Sequence, residues 1–214
     1  MSLHIEVFIT GPLQVSCSVV TDTENKQSVV IDPGGSTDDI TGHIQSQGSS
    51  LVAILLTHAH FDHIAGLTGL ASSNKEKSID IYMHDGDQYL IDNAATQAAR
   101  FGMSISPKLP KVTHKVTDNE KLTFGSIKID TLHTPGHSPG SVCYYLPSEK
   151  TLFSGDTIFQ NSIGRTDLWG GDFQQLIDGV KEKVLTLPEE TIIIPGHGPQ
   201  TTVQHEIKSN PFFK

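Results

Sequence analysis

Four side chains that can bind a metal ion stand close together in one short segment of the sequence, THAHFDH. They are His58, His60, Asp62 and His63. The segment directly follows an apolar run of strand length, residues 51–56, and alternating side chains such as His58 and His60 can point the same way as the chain leaves a strand. Imidazoles and carboxylates are ligands that zinc and similar divalent ions prefer. The pattern predicts a metal site at the end of a buried strand; the alternative is a polar loop with solvated histidines.

Three further short motifs each place one possible ligand after an apolar, strand-like run. They are His137 in TPGHSPG, Asp156 in FSGDT and His197 in IPGHGP. Each motif alone is typical of an ordinary turn. If all of them met at one edge of the fold, five histidines and two aspartates would suffice for two four-coordinate metal ions that share one carboxylate.

The elements that must position these residues alternate between strands and helices. The sequence predicts strands at 5–9, 15–20, 28–31, 51–56, 79–83, 122–124, 127–132, 141–146, 151–153 and 192–194. It predicts helices after Ser36 as a cap, at 64–71, at 85–100 and at 173–184, and a loop over 104–115. The strand–helix pattern occurs about twice, with a possible seam at 108–117, and every ligand motif ends a strand.

Composition narrows the function classes. The 214 residues carry 15 Lys and Arg against 24 Asp and Glu, a formal charge of −9, which disfavours nucleic acid as a partner. We find no apolar run near the ~20 residues of a membrane helix and no secretory signal. Two cysteines, Cys17 and Cys143, lie in apolar runs and read as buried free thiols. We therefore expect a cytoplasmic protein with a small-molecule partner and no membrane or nucleic acid partner.

The ligand residues in this order, HxHxDH followed by His137, Asp156 and His197, resemble the metallo-β-lactamase superfamily over essentially the whole chain. Asp32 in VIDPG fits that superfamily's early aspartate. The segments TPGHSPG, GDTIF and GRTD are similar to the glyoxalase II branch, and PGHGPQTT with NPF is similar to its short bacterial members. The resemblance implies a single domain over residues 1–214.

The fold that the resemblance implies is α+β, an αββα four-layer sandwich. Two mixed β-sheets would lie face to face between helices, with the metal site at the sheet edge. By the family's pattern His58, His60 and His137 would bind one metal ion, and Asp62, His63 and His197 the second. Asp156 would bridge them. The ions would be two divalent cations, zinc first, with iron or manganese as alternatives.

The activity that the resemblance implies is hydrolysis of a thioester such as S-(hydroxyacyl)glutathione by a metal-bridging hydroxide, with Asp62 as a secondary proton acceptor. Asp32, Arg165 and Asp167 would support the ligands from outside, although Arg165 and Asp167 also read as a structural ion pair. Full-length glyoxalase II has a further helical domain after the last histidine, where this chain has only 17 residues, so the acyl group and the thiol stay open. So does the choice between a monomer and a small homo-oligomer.

Two other functions remain as alternatives. A persulfide dioxygenase also resembles this pattern, shares GRTD, and would hold a single iron with His58, His137 and Asp156. Its members usually carry a different ending, PAHD, where this chain has PGHGP. A non-catalytic metal-binding module is the other alternative, and the complete ligand set argues against it.

Overall fold

The computed structural model describes residues 3–73 and 78–214, and the structural statements below concern these residues. The strands are β1 (Leu3–Thr10), β2 (Val15–Asp22), β3 (Gln27–Ile31), β4 (Ser50–Leu55), β5 (Asp80–His84), β6 (His114–Val116), β7 (Lys121–Phe124), β8 (Ile127–His133), β9 (Val142–Leu146), β10 (Thr151–Gly155), β11 (Ile158–Phe159), β12 (Ser162–Ile163), β13 (Ile192–Pro195) and β14 (Thr201–Thr202). The helices are α1 (Asp38–Ser46), α2 (Phe61–Ile64), α3 (Leu67–Ala71), α4 (Gln88–Asp92), α5 (Ala94–Arg100), α6 (Phe173–Gly179) and α7 (Val203–Ser209). Short 3₁₀-helices cover Asp85–Asp87, Pro147–Glu149 and Pro211–Phe213, and a π-helical segment covers Val180–Val184.

Two mixed six-stranded sheets form the centre of the fold. The first has the order β1-β2-β3-β4-β5-β6, antiparallel from β1 to β3 and parallel from β3 to β6. The second has the order β14-β13-β10-β9-β8-β7, in which only β10 and β13 pair in parallel. The short strands β11 and β12 form a separate ribbon. Parallel pairing brings the carboxyl ends of neighbouring strands to one edge of each sheet.

Three apolar layers separate four layers of secondary structure. Side chains of α1, α3 and α4 pack on one face of the first sheet, whereas α6 and α7 pack on the outer face of the second. Neighbouring residues of one strand serve different layers, because successive side chains point to opposite faces. Val19 faces the helices and Val20 faces the second sheet. The predicted α+β sandwich, with mixed sheets flanked by helices, is confirmed.

Two helix predictions need correction. Ser36 is not a cap, because α1 begins at Asp38 after Thr37, whose side chain makes no capping hydrogen bond. The helix predicted at 64–71 is two short helices, α2 and α3. The chain breaks at Gly66, which packs so tightly on the backbone of Pro33 and Gly35 that a methyl group there would collide with both.

The loop predicted at 104–115 was wrong at its end, because His114–Val116 form β6 and pair in parallel with β5. The first two residues of β6, His114 and Lys115, are polar, so the sequence shows no apolar run there. The strand lies at the edge of the sheet. The ribbon β11–β12, the strand β14 and the helix α7 were not predicted either. Strands of two residues are too short to show an alternating pattern. The two cysteines are buried and free, as predicted.

Candidate metal centre

All seven predicted ligands lie together at one edge of the two sheets. His58 and His60 follow the end of β4, and Asp62 and His63 belong to α2 directly after it. The second sheet supplies the other three from the segments that follow its strands: His137 after β8, Asp156 after β10 and His197 after β13. The predicted meeting of these motifs at a sheet edge is therefore correct. That they bind metal ions stays a prediction, which the geometry below supports.

His58, His60 and His137 form the first group of possible ligands, and all three are buried. The Nε2 atom of His137 lies 3.3 Å from Nε2 of His58 and 2.8 Å from Nδ1 of His60. Three ring nitrogens thus converge on one point. They come from two different sheets, so the position of this group depends on how the sheets pack.

Asp62, His63 and His197 form the second group. The Nε2 atoms of His63 and His197 are 3.3 Å apart, and Oδ2 of Asp62 is 3.3 Å from His197 and 3.8 Å from His63. Burial alone would raise the pKa of Asp62, but its hydrogen bond with His197 lowers that pKa. Burial would lower the pKa of His197, but the same hydrogen bond raises it. Asp62 is therefore held as a carboxylate.

Asp156 stands between the two groups. Its Oδ1 lies 3.3 Å from Nε2 of His63, and its Oδ2 lies 3.6 Å from Nε2 of His137 and 3.7 Å from that of His197. Although Oδ1 is buried, it has no hydrogen-bond partner of good geometry. An unpaired buried carboxylate oxygen is costly. A cation on that oxygen would remove the cost.

Hydrogen bonds behind the imidazoles decide which nitrogen of each ring faces the centre. Nδ1 of His63 donates to Asp32 (3.0 Å), Nδ1 of His137 to the carbonyl of Arg165 (2.8 Å) and Nδ1 of His197 to the carbonyl of Leu13 (2.9 Å). Each ring therefore turns Nε2 inward. Such outer hydrogen bonds are the usual support of histidines that bind metals.

His58 is held by a relay that ends on the same aspartate. Its Nδ1 lies 3.0 Å from Oγ1 of Thr57, which donates to Oδ2 of Asp32 at 2.6 Å. The backbone N–H of Thr57 donates to the other oxygen of Asp32 at 2.8 Å. Thr57 Oγ1 therefore accepts a hydrogen bond from Nδ1–H of His58, and the lone pair of His58 Nε2 faces that of His137. Two facing lone pairs repel each other unless a cation lies between them.

The charges of the site fit such a cation. Burial holds the pKa of His58 well below its usual range and lowers the pKa of His60 to about 3, so both rings are neutral. Burial would lower the pKa of His63, but Asp156 and Asp32 raise it well above its usual range. Burial would raise the pKa of Asp156, but the neighbouring His63 lowers it. His63 therefore carries a proton that a metal ion would displace on binding, because a histidine that binds a metal is neutral. His58 and His60 are neutral already, and neutral imidazoles beside ionised carboxylates are the donor set for divalent metal ions.

Arg165 and Asp167 form an exposed ion pair, with Nε and Nη2 of the arginine 2.7 and 2.9 Å from the two carboxylate oxygens. Their side chains therefore contact each other and make no hydrogen bond to the predicted ligands. The backbone carbonyl of Arg165 is the group that supports His137. Asp32, in contrast, contacts His63 directly and supports His58 through the hydroxyl of Thr57.

Asp87 is a supporting residue that the sequence analysis missed. This buried carboxylate accepts from the backbone N–H of Ala59 (2.8 Å), the hydroxyl of Ser138 (2.8 Å) and the backbone N–H of Gly140 (2.6 Å). It thus joins the loop of His58 and His60 to the loop of His137. The available signal was its position: it follows the predicted strand at 79–83, next to the strand that carries the HxHxDH motif.

A pocket of about 470 Å³ opens onto this centre. His60, Asp62, His137, Asp156 and His197 line one side of it. Its volume lies within the range of about 300–1,000 Å³ that is usual for small-molecule sites. The arrangement can therefore hold metal ions at the floor of a pocket that admits an organic substrate.

A comparison with known families decides the identity. The family model described as the Metallo-beta-lactamase superfamily matches residues 10–197. This chain belongs to the metallo-beta-lactamase superfamily. The family model matches the segment from the end of β1 to His197, and this segment contains every predicted ligand. The four-layer fold and the cluster at the sheet edge agree with that membership.

Two relatives of this superfamily member are named as hydrolases. The probable metallo-hydrolase YqgX of Bacillus subtilis is 39% identical over 203 residues, 94% of this chain and 93% of the relative. Hydroxyacylglutathione hydrolase GloC of Haemophilus influenzae is 36% identical over 213 residues, 98% of each protein. This superfamily member is thus similar to a probable metallo-hydrolase and to a hydroxyacylglutathione hydrolase along nearly its full length.

Two solved structures agree with the fold, and one of them is in a di-iron-bound form. The BLEG-1 B3 metallo-beta-lactamase is 40% identical, with a TM-score of 0.89, over 98% of this chain and 99% of that one. TTHA1623 in a di-iron-bound form is 38% identical, with a TM-score of 0.87, over 97% and 99%. The cluster and the superfamily indicate divalent metal ions, and the di-iron neighbour leaves the choice between zinc and iron open. No described helix is both long and apolar enough to cross a bilayer.

Proposed function

We propose that this superfamily member is a metal-dependent thioesterase of glyoxalase II type, which hydrolyses S-(hydroxyacyl)glutathione or a related thioester with two zinc ions. The position of Asp156 carries the proposal, because a carboxylate that lies between two ligand groups can contact two metal ions at once. The 36% identity to the hydrolase GloC supports the thioester as substrate.

The ligand roles follow the two groups of the cluster. The first group would hold one ion: His58, His60 and His137. The second group would hold the other: Asp62, His63 and His197. Asp156 would contact both. Metal ions bound there would polarise the thioester carbonyl and lower the pKa of a coordinated water.

The protein's own groups have three tasks. They orient the histidine rings, keep water away from them and accept a proton during the reaction. Asp32 and the carbonyls of Arg165 and Leu13 fix the histidine rings, which are largely shielded from solvent. Asp62 lines the pocket and stays ionised, so it is the side chain placed to accept a proton during attack on the carbonyl. Arg165 lines the pocket and is held in an exposed ion pair with Asp167.

The test is a substrate panel on protein purified without added metal and analysed for its metal content. We expect S-lactoylglutathione or another thioester to be hydrolysed fastest among thioesters, lactones, phosphoesters and a β-lactam. Chelation should abolish the activity, and zinc should restore it. No thioester hydrolysis after loading with zinc, iron or manganese would refute the proposal. Oxygen uptake with glutathione persulfide in the same samples would instead identify the dioxygenase alternative.

A further inference from the structure

The pocket above the metal centre has two unlike sides. Facing the ligand residues is an apolar wall formed by Leu13, Phe61, Leu90, Phe101, Leu168 and Trp169. These residues come from separate segments of the chain, before β2, in α2, in α4, after α5 and in the loop before α6. A wall assembled from so many segments is a feature of the fold rather than of one loop.

Three large side chains of this apolar wall are exposed to solvent. Phe101 is 50% exposed, Trp169 48% and Leu13 39%. Phe101 packs against Phe61 with ring centroids 5.2 Å apart, and Trp169 stacks on Tyr89 at 4.1 Å. Each exposed aromatic ring therefore packs against a second ring, the buried Phe61 or the half-exposed Tyr89. Exposed apolar surface that lines a pocket is typical of a binding site for an apolar group.

Arg100 adds a positive charge to the mouth of this pocket. It is exposed and lines the pocket beside Phe101. The other arginine of the lining, Arg165, is already paired with Asp167. Within residues 3–73 and 78–214 no carboxylate forms an ion pair with Arg100. Its guanidinium can therefore meet an anionic group at the far end of a substrate.

We propose that the preferred substrate carries an extended apolar group, with an anionic end, on the thioester that reaches the metal centre. The reaction itself rests on the proposed thioesterase function. The apolar group would cover Phe101 and Trp169, and the anionic end would meet Arg100. A lactoyl group is too short and too polar to cover this wall. The group can belong to the acyl part or to the thiol, and the experiment separates these two sources.

Binding is measured first, without hydrolysis. Trp169 is the only tryptophan of the chain, so its fluorescence reports on the wall alone. Straight-chain carboxylates from acetate to octanoate are titrated into the metal-loaded protein. All of them offer the same carboxylate to the centre. We expect Kd to fall by about threefold for each added methylene, because each one leaves water for an apolar surface. Equal Kd values for acetate and octanoate would overturn the proposal.

Kinetics then identify the part of the substrate that carries the apolar group. One series varies the acyl chain on a constant thiol, from acetyl to octanoyl. The other varies the thiol from two to six carbons on a constant acetyl group. A rise in kcat/KM of about threefold per methylene in one series assigns the group to that side. Hydrolysis that is independent of chain length in both series overturns the inference and leaves the thioesterase function intact. Selective octanoate binding without any thioester hydrolysis refutes the function while the apolar site stands.

Two variants test the residues. Phe101→Ala should lower the octanoyl-to-acetyl ratio of kcat/KM by about tenfold. Phe173→Ala is the matched control, because Phe173 is also 50% exposed but lies outside the pocket lining, and its ratio should not change. Arg100→Gln should lower kcat/KM by about threefold for an acyl chain that ends in a carboxylate and leave the neutral chain of equal length unchanged. Equal effects of the two phenylalanine variants, or of Arg100→Gln on both chains, would contradict the assignment.

Discussion

Asp156 owes its position to the absence of a side chain at residue 196. A Cβ atom at Gly196 would collide with Oδ1 of Asp156 and lie 2.6 Å from Cε1 of His63. The glycine, in turn, is held by a hydrogen bond from its N–H to the carbonyl of Gly155 (2.8 Å), so it cannot easily retreat. The smallest residue of the PGHGP motif therefore makes room for the carboxylate between the two ligand groups.

The first prediction follows from this contact. Gly196→Ala should displace Asp156, lower the bound metal from two ions towards one and reduce thioester hydrolysis at least tenfold. Metal content per chain measures the first effect and kcat/KM the second. Gly42→Ala is the control, because a Cβ atom at this helical position meets nothing within 4 Å. That change should leave the metal content unchanged and raise the free energy of unfolding by up to about 1 kcal/mol. Full metal occupancy in Gly196→Ala would show that Asp156 does not bridge.

The second prediction concerns Asp32, whose backbone adopts the left-handed conformation, with φ of 52°. This conformation is uncommon for a residue other than glycine, and at functional sites it is maintained by its surroundings. Asp32→Asn keeps the shape but places an amide N–H₂ where Thr57 or His63 now donates. We expect the metal affinity to fall about 10- to 100-fold. Competition with a chelator measures it, and an unchanged affinity would mean that the histidines need no outer support.

At the scale of elements, the long buried strands and the ligand motifs that follow them could be predicted from sequence, because both are local patterns. The strand predicted at 51–56 and the motif after it are one continuous signal. Asp87 could not be assigned a role, because its partners Ala59, Ser138 and Gly140 are distant in sequence. The roles of the Arg165 and Leu13 carbonyls were hidden for another reason, since a backbone group carries no residue-specific signal.

The third prediction tests how Asp87 joins two loops. Burial raises the pKa of this carboxyl, and its three hydrogen bonds offset only part of that rise. In Asp87→Asn one oxygen becomes a donor and faces other donors, which should lower the free energy of unfolding by about 2 kcal/mol. The metal affinity should fall as well, because His60 and His137 lose their common support. Urea unfolding and metal titration measure the two effects. Asp87→Ala, which removes all three bonds, should be worse in both; a milder effect than that of Asp87→Asn would contradict this account.

At the scale of the whole molecule, the metal centre depends on the packing of one sheet against the other, because each ligand group draws on both. Most of that packing is apolar, and one buried polar contact far from the centre adds to it. Asp22, at the end of β2, accepts from the backbone N–H of Ser126 (2.7 Å), in the turn between β7 and β8, and from its own neighbour Asn25. Asp22 thus ties the first sheet to the second and is 1% exposed.

The fourth prediction is a pH dependence of stability. Burial would raise the pKa of Asp22, but the hydrogen bonds from Asn25 and Ser126 lower it below the ordinary value of 3.8. A carboxyl whose pKa is lower in the folded state stabilises the fold above the unfolded pKa, and this stabilisation is lost as the pH falls through the folded pKa. Asp22→Asn should therefore lower the free energy of unfolding by about 2 kcal/mol at pH 7.

The deficit of Asp22→Asn should shrink as the pH falls from about 5 towards 2, because the unfolded wild-type carboxyl then takes up a proton while the folded one still holds its charge, and this lowers the free energy of unfolding of the wild type. Urea unfolding of both proteins across this range, with metal removed from both, measures the difference. Asp130→Asn is the control: Asp130 lies in β8 of the second sheet and pairs with the exposed Lys121 of β7, a contact worth about 0–1 kcal/mol. A deficit of Asp22→Asn that stays constant from pH 7 to pH 2 would mean that Asp22 acts through its shape alone. Its charge would then contribute nothing to the packing of the two sheets, on which the positions of the two ligand groups depend.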